Sequence, residues 1–259
     1  MSTISDQPGL TSEQITAAAA QLLQAWEHGT EIDDLAPDCR PPTVADARRI
    51  QDALVDKLGG QGGWKVGQLQ PDREPGCAPL PASRILRSPT SWALPVSGPL
   101  ELEVEVAVLI GQDLTQTAVM DSATVRAAVA SLHPALELVS SRLRQRQSLP
   151  PLTALTDLQA NAGLVLGRAT ESWTAIDLAR LGMTLSVDGQ LIAQVGVGPS
   201  QERMLAALTW LANHARDRGR PLRRGDVVLT GARILATPVP RKARILAQVQ
   251  TLGTVELAT

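Results

Sequence analysis

Three segments of the chain carry apolar residues at helical spacing, with polar residues on the opposite face. Each segment begins at a hydroxyl side chain that suits an N-terminal cap, in turn Thr11, Thr43 and Ser200, and each ends at glycine. The pattern predicts amphipathic helices over residues 15–29, 44–60 and 201–219. Two shorter helices are predicted over about 122–132 and 152–160.

Most other apolar residues alternate with polar ones or form short runs, which is typical of β-strands. The clearest case is residues 183–198, where Asp188-Gly189 joins two alternating runs and favours a tight hairpin turn. Further strands are predicted over 63–67, 101–110, 135–139, 162–167, 225–232 and 243–259. Because helices concentrate early and strands late, we expect an α+β fold, with an N-terminal helical segment (1–62) packed on a β-rich domain (63–259).

A proline-rich stretch separates the first two predicted strands. Seven prolines lie between Pro71 and Pro99, and proline cannot donate to a helix or a sheet. We therefore expect a long, partly extended loop. Long loops inside compact domains are often functional, so residues 68–99 are predicted to close over a site as a lid.

Composition excludes several classes of protein. A length of 259 residues allows a substantial core, and a net charge of −2 gives no basic field to recruit nucleic acid or an acidic membrane surface. No apolar run reaches the roughly 20 residues of a membrane span, and the first residues do not resemble a signal peptide. Two cysteines are too few for a disulfide framework, so we expect a cytoplasmic protein.

The predicted strand over 101–110 contains a row of acids. Glu101, Glu103 and Glu105 alternate with apolar residues, so their side chains project from one face. Glu137 lies between Leu136 and Leu138 in another predicted strand. Two interpretations stay open at this point: a solvated strand face, or an oxygen-rich cluster that holds a hard divalent cation such as Mg²⁺ or Mn²⁺.

Lys65 lies in a predicted strand between Trp64 and Val66, which is a poor place for a solvated lysine. It is either an edge-strand lysine whose ammonium reaches water, or a group that anchors an anionic substrate or exchanges a proton. The chain contains no tyrosine that could take the second role. The histidines are predicted to be structural, with support of the acids as the alternative for His133; they are His28, His133 and His214.

Six segments occur in a familiar order and spacing: GWKVG, EVEVAVLIG, HPALELVSSR, DLQANAGLVLG, WLANHA and GDVVLTGA. Over roughly residues 40–255 the chain resembles the 2-keto-4-pentenoate hydratase and 4-oxalocrotonate decarboxylase branch of the fumarylacetoacetate hydrolase superfamily. The resemblance implies a mixed, rolled β-sandwich with flanking helices, and makes the β-rich domain catalytic. It also implies that Glu103, Glu105 and Glu137 hold Mg²⁺ or Mn²⁺, while Glu101 stays outside the metal site.

The resemblance assigns further roles, residue by residue. The family's active-site lysine corresponds to Lys65, and substrate contacts are expected at four positions: Arg142, Asn161, Thr230 and Gly231. The chain also departs from the family. Ser140 stands where many members have aspartate before Ser-Arg, Gln159-Ala160-Asn161 replaces Ala-Asp-Asn, and the segment CAPLPA lacks the acid that some members carry on the lid.

The function implied is that of a lyase. It is a metal-dependent hydratase that adds water to a small 2-hydroxy-2,4-dienoate, or its 2-oxo tautomer, and yields a 4-hydroxy-2-oxo acid. One alternative is a decarboxylase of a 2-oxo-enedioate, in which Arg84 or Arg142 would bind the second carboxylate. Another is a homologue that binds keto acids without hydrating them. The expected partners are the small acid and further copies of the chain, with neither nucleic acid nor membrane.

Overall fold

A computed structural model describes residues 9–93, 95 and 98–259. The start of the chain and part of the predicted lid therefore lie outside the described residues. The three long predicted helices are present, and Thr11, Thr43 and Ser200 cap them as expected. The helices are α1 (Ser12–His28), α2 (Val44–Lys57), α3 (Ser122–Ala127), α4 (Pro151–Thr156) and α5 (Gln201–Asp217).

The strands form two sheets. Their bounds in chain order are β1 (Gln61–Val66), β2 (Cys77–Pro81), β3 (Ile85–Arg87), β4 (Thr90–Ser91), β5 (Glu101–Ile110), β6 (Val129–Val139), β7 (Asn161–Leu166), β8 (Met183–Val187), β9 (Gln190–Val195), β10 (Val227–Leu229), β11 (Ile234–Pro238), β12 (Arg244–Val249) and β13 (Gly253–Ala258). The larger sheet has the order β2-β1-β10-β5-β6-β7-β3, with β11 also paired to β5. The smaller sheet has the order β4-β13-β12-β8-β9.

The two faces of the larger sheet bury different things. On β5, the apolar residues Leu102, Val104 and Val106 point into the main core, which they share with residues of β8, β12, β13 and α5. The opposite face carries the glutamates and then Ala107, which belongs to a smaller apolar cluster with residues of β2, β6, β7 and β10. The two-residue period of the strand thus separates a packing face from a face that carries acids.

The proline-rich stretch corrects one expectation. Residues 77–81 form β2, which is wholly buried and pairs antiparallel with β1. The next strand, β3, joins the larger sheet beside β7, and β4 joins the smaller sheet beside β13. Proline is tolerated here because β2 is an edge strand, where a missing N–H costs no ladder bond. The part that projects from the sheets is the short exposed segment 70–74, so a lid over the whole of 68–99 is wrong for the described residues.

A second difference is the predicted helix over 122–132. It ends at Ala127, and Val129 already belongs to β6, which continues through Pro134 to Val139. Pairing with β5 along almost its whole length outweighs the local helical pattern. Pro134 has no N–H to donate to the sheet, but its carbonyl still accepts a hydrogen bond from the N–H of Gly167.

The N-terminal helices pack together on one side of the larger sheet. Their apolar faces form a second core, which includes Trp26, Leu54 and Ala78 of β2. A separate helical segment over 1–62 stays a prediction, as does its boundary. No helix within the described ranges is both long and apolar enough to cross a membrane.

Candidate active site

Three carboxylates meet at one end of the larger sheet. Glu103 and Glu137 are directly opposite each other on β5 and β6, and Glu105 lies two residues further along β5 on the same face. One carboxylate oxygen of each residue lies within 4.8 Å of the others. Glu105 and Glu137 are buried, whereas Glu103 is half-buried. The structure therefore brings together the three acids that the sequence singles out, and Glu101 does not belong to the group.

Lys65 reaches this cluster from β1. Its Nζ donates a hydrogen bond to Oε1 of Glu137 at 2.5 Å, and 14% of its side chain is exposed. Neighbouring residues of a strand point to opposite faces, so Trp64 faces the main core while Lys65 faces the acids. The interpretation of Lys65 as an edge lysine that only reaches water is wrong.

The charges in the cluster are strongly coupled. Burial raises the pKa of Glu105 well above its usual value, and the carboxylate of Glu137 raises this pKa further. The same two causes raise the pKa of Glu103. Burial lowers the pKa of Lys65, but the three carboxylates outweigh burial and leave the pKa above its ordinary value. Lys65 is accordingly an ammonium, with a proton on Nζ, beside the acids.

The residues present fit a hard divalent cation. Three carboxylates and one ammonium leave two negative charges in a largely buried cluster, and unpaired buried charge is costly. Oε2 of Glu137 is buried and has no hydrogen-bond partner among the described residues, so one acceptor oxygen has no donor. Carboxylate oxygens are the ligands that Mg²⁺ and Mn²⁺ prefer.

Asn161 lies beside the acids at the start of β7. Its Nδ2 donates to Oε1 of Glu137 at 3.0 Å, the same oxygen that accepts from Lys65, and its Oδ1 has no partner among the described residues. Three consecutive non-glycine residues before it have positive φ angles, namely Leu158, Gln159 and Ala160. Such backbone costs on the order of 1 kcal/mol or more per residue, so other contacts must hold it.

Arg142 supplies those contacts. Its guanidinium is buried and binds Asp157 through Nε at 2.6 Å, while Nη1 donates to the backbone carbonyls of Ser140 and Asn161. None of its described hydrogen bonds reaches the acids. The contacts of Arg142 therefore give it a positioning role for the left-handed turn, and the substrate contact that the resemblance implies stays a prediction. The sequence reasoning missed Asp157, although it lies in the segment DLQANAGLVLG.

Thr230 and Gly231 follow β10, and Gly231 contacts Glu105. The N–H of Gly231 donates to Oε2 of Glu105 at 2.9 Å, and the hydroxyl of Thr230 donates to the carbonyl of Val106. Gly231 has a φ of +100°, a backbone angle that residues with a side chain rarely adopt. Gln68, another residue that the sequence reasoning missed, donates to the carbonyl of Thr230. A substrate contact at these positions stays a prediction.

The remaining candidates lie away from the acids. The ring nitrogens of His133 contact Ser131 and the carbonyl of Gly167, so its described bonds hold the β6–β7 region together. The guanidinium groups of Arg84 and Arg142 both lie over the ring of Trp26, at 4.5 and 4.1 Å from its centroid. Neither arginine has a described contact with the acids.

Comparison with known proteins supports the fold. The 2-keto-4-pentenoate hydratase of Burkholderia vietnamiensis is 29% identical over 252 residues, which is 93% of this chain and 95% of that protein. An enzyme of the same name from Paraburkholderia phymatum is 28% identical over 253 residues, 93% and 96% of the two chains. The structure of 4-oxalocrotonate decarboxylase from Pseudomonas putida G7, complexed with magnesium and adipate, has a TM-score of 0.83 at 21% identity, and the match covers 97% of this chain and 99% of that one.

The structural likeness confirms the predicted mixed fold with rolled sheets and flanking helices. A match to a family model shows which family the chain belongs to. Residues 71–256, well over half of the chain, match the family described as fumarylacetoacetate (FAA) hydrolase C-terminal. The chain belongs to the fumarylacetoacetate hydrolase family.

Proposed function

We propose that this protein is a divalent-metal-dependent hydratase of small 2-hydroxy-2,4-dienoates, a lyase whose product is a 4-hydroxy-2-oxo acid. The observation that carries the proposal is the junction of three carboxylates with one lysine, in a chain that matches hydratases over almost their full length. Mg²⁺ and Mn²⁺ are the ions that suit an all-oxygen set of ligands.

The cation would be held by Glu103, Glu105 and Glu137. When bound, a divalent ion supplies a Lewis acid that stabilises negative charge on the oxygens of an enolate. The chain orients the acids for metal binding, since Gly231 fixes one oxygen of Glu105, while Lys65 and Asn161 both fix Oε1 of Glu137. Oε2 of Glu137 has no hydrogen-bond donor among the described residues, so it is free to act as a ligand.

Lys65 is the residue that we expect to move a proton. Conversion of a 2-hydroxy-2,4-dienoate to its 2-oxo-3-enoate tautomer moves a proton from the hydroxyl to C5. Water then adds at C4, and a proton is gained at C3. Nζ of Lys65 carries a proton, and we assign it the delivery of a proton to carbon and the orientation of the substrate carboxylate. The partly exposed side chain of Lys65 keeps it in reach of a small acid.

The contacts of the two candidate arginines favour the hydratase over the decarboxylase. A 2-oxo-enedioate brings an additional carboxylate, which requires a cation to bind it. Arg84 and Arg142, the two candidates from the sequence, are committed to Trp26 and, for Arg142, to Asp157. A dienoate with an apolar or hydroxylated end needs no such partner.

The test is product identification. Purified protein, with and without Mg²⁺, is incubated with 2-hydroxy-2,4-pentadienoate and separately with 2-oxo-3-hexenedioate, and the products are identified by NMR. The proposal predicts Mg²⁺-dependent appearance of 4-hydroxy-2-oxopentanoate and slower turnover of the dicarboxylate. Loss of CO₂ from the second substrate as the faster reaction would replace the proposal by its alternative. If neither substrate is turned over, the remaining alternative is a homologue that binds keto acids without hydrating them.

A further inference from the structure

A second cavity lies on the far side of β1 from the acids, between α2 and α5. Its volume is about 310 Å³, roughly ten times the volume of ~30 Å³ that one water occupies in the liquid. The lining includes three arginines, a histidine and two aspartates: Arg48, Arg49 and Asp52 from α2, His214 and Asp217 from α5, and Arg218 just after it. Nothing in the proposed reaction uses these residues.

Buried nitrogen atoms without partners belong to two lining residues, Arg218 and His214, and to the neighbouring Trp64. Among the described residues, Nη1 of Arg218, Nε2 of His214 and Nε1 of Trp64 have no hydrogen-bond partner, although each atom is buried. The side chain of Arg218 is only 7% exposed. The three groups are neighbours: Arg218 lies over the Trp64 ring, and that ring is 6.4 Å from the imidazole. Two of them can only donate hydrogen bonds, so what they need is an acceptor.

The fixed contacts of Arg218 leave Nη1 available. Its Nε donates to Asp52, and its Nη2 donates to the carbonyl of Arg48 and to Gln51. These contacts hold the guanidinium in place, so Nη1 is a fixed donor. A group held in this way loses little conformational entropy when it binds a ligand.

The charges of the arginines reach two buried groups beside the cavity. Burial is the main cause that brings the pKa of His214 to about 4, and Arg48 and Arg218 each lower this pKa more than Glu74 or Asp217 raises it. Burial raises the pKa of the Cys77 thiol to about 11, against the opposing effects of Arg218 and Arg48. The two arginines therefore act on this region in spite of the neighbouring acids.

We propose that this cavity binds a small organic molecule through one oxyanion, a carboxylate or a phosphate, held by Arg48, Arg218 and His214. A cavity of this size takes an anion with an organic body beyond the charged group. The ring of His214 lines the cavity and supplies apolar surface for that body, and Trp210 supports this ring by stacking on it at 4.6 Å between centroids.

The incoming anion would compete with a carboxylate already present. Arg48 forms an ion pair with Glu74 at 2.8 Å, and Glu74 is 65% exposed on the segment 70–74. Exposed pairs of this kind contribute about 0.2–1 kcal/mol, so an anion that also contacts Arg218 can displace Glu74. Occupation of the cavity would therefore release the exposed segment that follows the strand of Lys65.

The experiment is an NMR titration of metal-free, ¹⁵N-labelled protein with acetate and, separately, inorganic phosphate, at ionic strength held constant with NaCl. The protein is kept metal-free so that the candidate active site offers no divalent cation for these anions to bind. We expect saturable shifts of the Trp64 indole N–H and an upward shift of the pKa of His214. The tighter of the two ions identifies the oxyanion class.

Variants distinguish a site from general attraction. Arg48→Gln should weaken binding at least about tenfold, as expected for loss of a charge-assisted hydrogen bond. Arg223→Gln removes an equal charge from an exposed pair with Asp113 and should change nothing. Glu74→Gln removes the competitor and should tighten binding up to about fivefold. Shifts that never saturate, or equal losses in Arg48→Gln and Arg223→Gln, would overturn the proposal.

Discussion

Glu101, Glu103 and Glu105 look equivalent in the sequence, yet they have different neighbours across the sheet. Glu103 faces Glu137, whereas Glu101 faces Val139. Opposed carboxylates at an effective dielectric of about 20 repel by a few kcal/mol, and a bound cation turns that repulsion into attraction. The spacing of acids on one strand therefore predicts their face, but their partner is fixed by the register with β6.

This difference leads to a prediction about metal binding. The combined change Glu103→Gln and Glu137→Gln should abolish saturable Mn²⁺ binding. Binding is measured from the electron paramagnetic resonance signal of free Mn²⁺, which decreases as the ion binds. Glu101→Gln should leave the affinity nearly unchanged, because Glu101 is outside the cluster. Equal losses from both changes would mean that the ligands are misassigned.

A second prediction concerns the buried pair that holds the turn before Asn161. Asp157→Asn leaves the guanidinium of Arg142 charged, buried and unpaired, which typically costs about 3–5 kcal/mol. The free energy of unfolding in urea should fall by that order. The matched change Asp177→Asn breaks an exposed pair with Arg180 and should cost under ~1 kcal/mol. A small loss from Asp157→Asn would refute the positioning role of Arg142.

At the scale of elements, the proline-rich stretch shows what composition alone cannot decide. Seven prolines correctly indicate that no α-helix or central strand forms between Pro71 and Pro99 in the part of the chain that the structure describes. They do not reveal that β2 is buried at a sheet edge, because burial there depends on partners distant in the chain. For the same reason the local pattern misses the start of β6, which pairing with β5 determines.

The exposed segment 70–74 predicts where a protease cuts. Trypsin should cleave after Arg73, which is exposed in this segment, and should spare the buried Arg84. If the segment closes over the candidate site, Mg²⁺ with oxalate should slow this cleavage by at least about tenfold, as followed by mass spectrometry. Mg²⁺ alone is the control. Equal rates with and without the ligands would mean that the segment is only a connector.

At the scale of the whole molecule, the fold could be recognised from six short segments because each supplies residues to the larger sheet or to the helix packed against it. The candidate acids and Lys65 were predictable, because a charged side chain in a strand of otherwise buried residues usually has a partner such as a metal ion, a substrate or an opposite charge. The Arg142–Asp157 pair and the left-handed turn were not, because they depend on backbone angles that no residue pattern reports.

Exposed apolar residues lead to a prediction about assembly. Leu191 and Leu235 are 56% and 72% exposed, and they lie on β9 and β11, two strands that contact each other. We expect this surface to be covered by another copy of the chain. The double change Leu191→Asp and Leu235→Asp should lower the mass measured by light scattering, whereas Val119→Asp, at another exposed apolar position, should not. A monomeric unmodified protein would contradict the expectation.

The most direct test of the central claim is the steady-state activity of Lys65→Ala on 2-hydroxy-2,4-pentadienoate with Mg²⁺, measured together with Mn²⁺ affinity. The structure places the ammonium at the acids, so kcat/KM should fall at least ~10²-fold while the protein still binds metal. Lys65→Arg should restore little activity, because a guanidinium does not release its proton. Near-normal turnover in Lys65→Ala would contradict the account, since no other described side chain with an ammonium reaches the cluster.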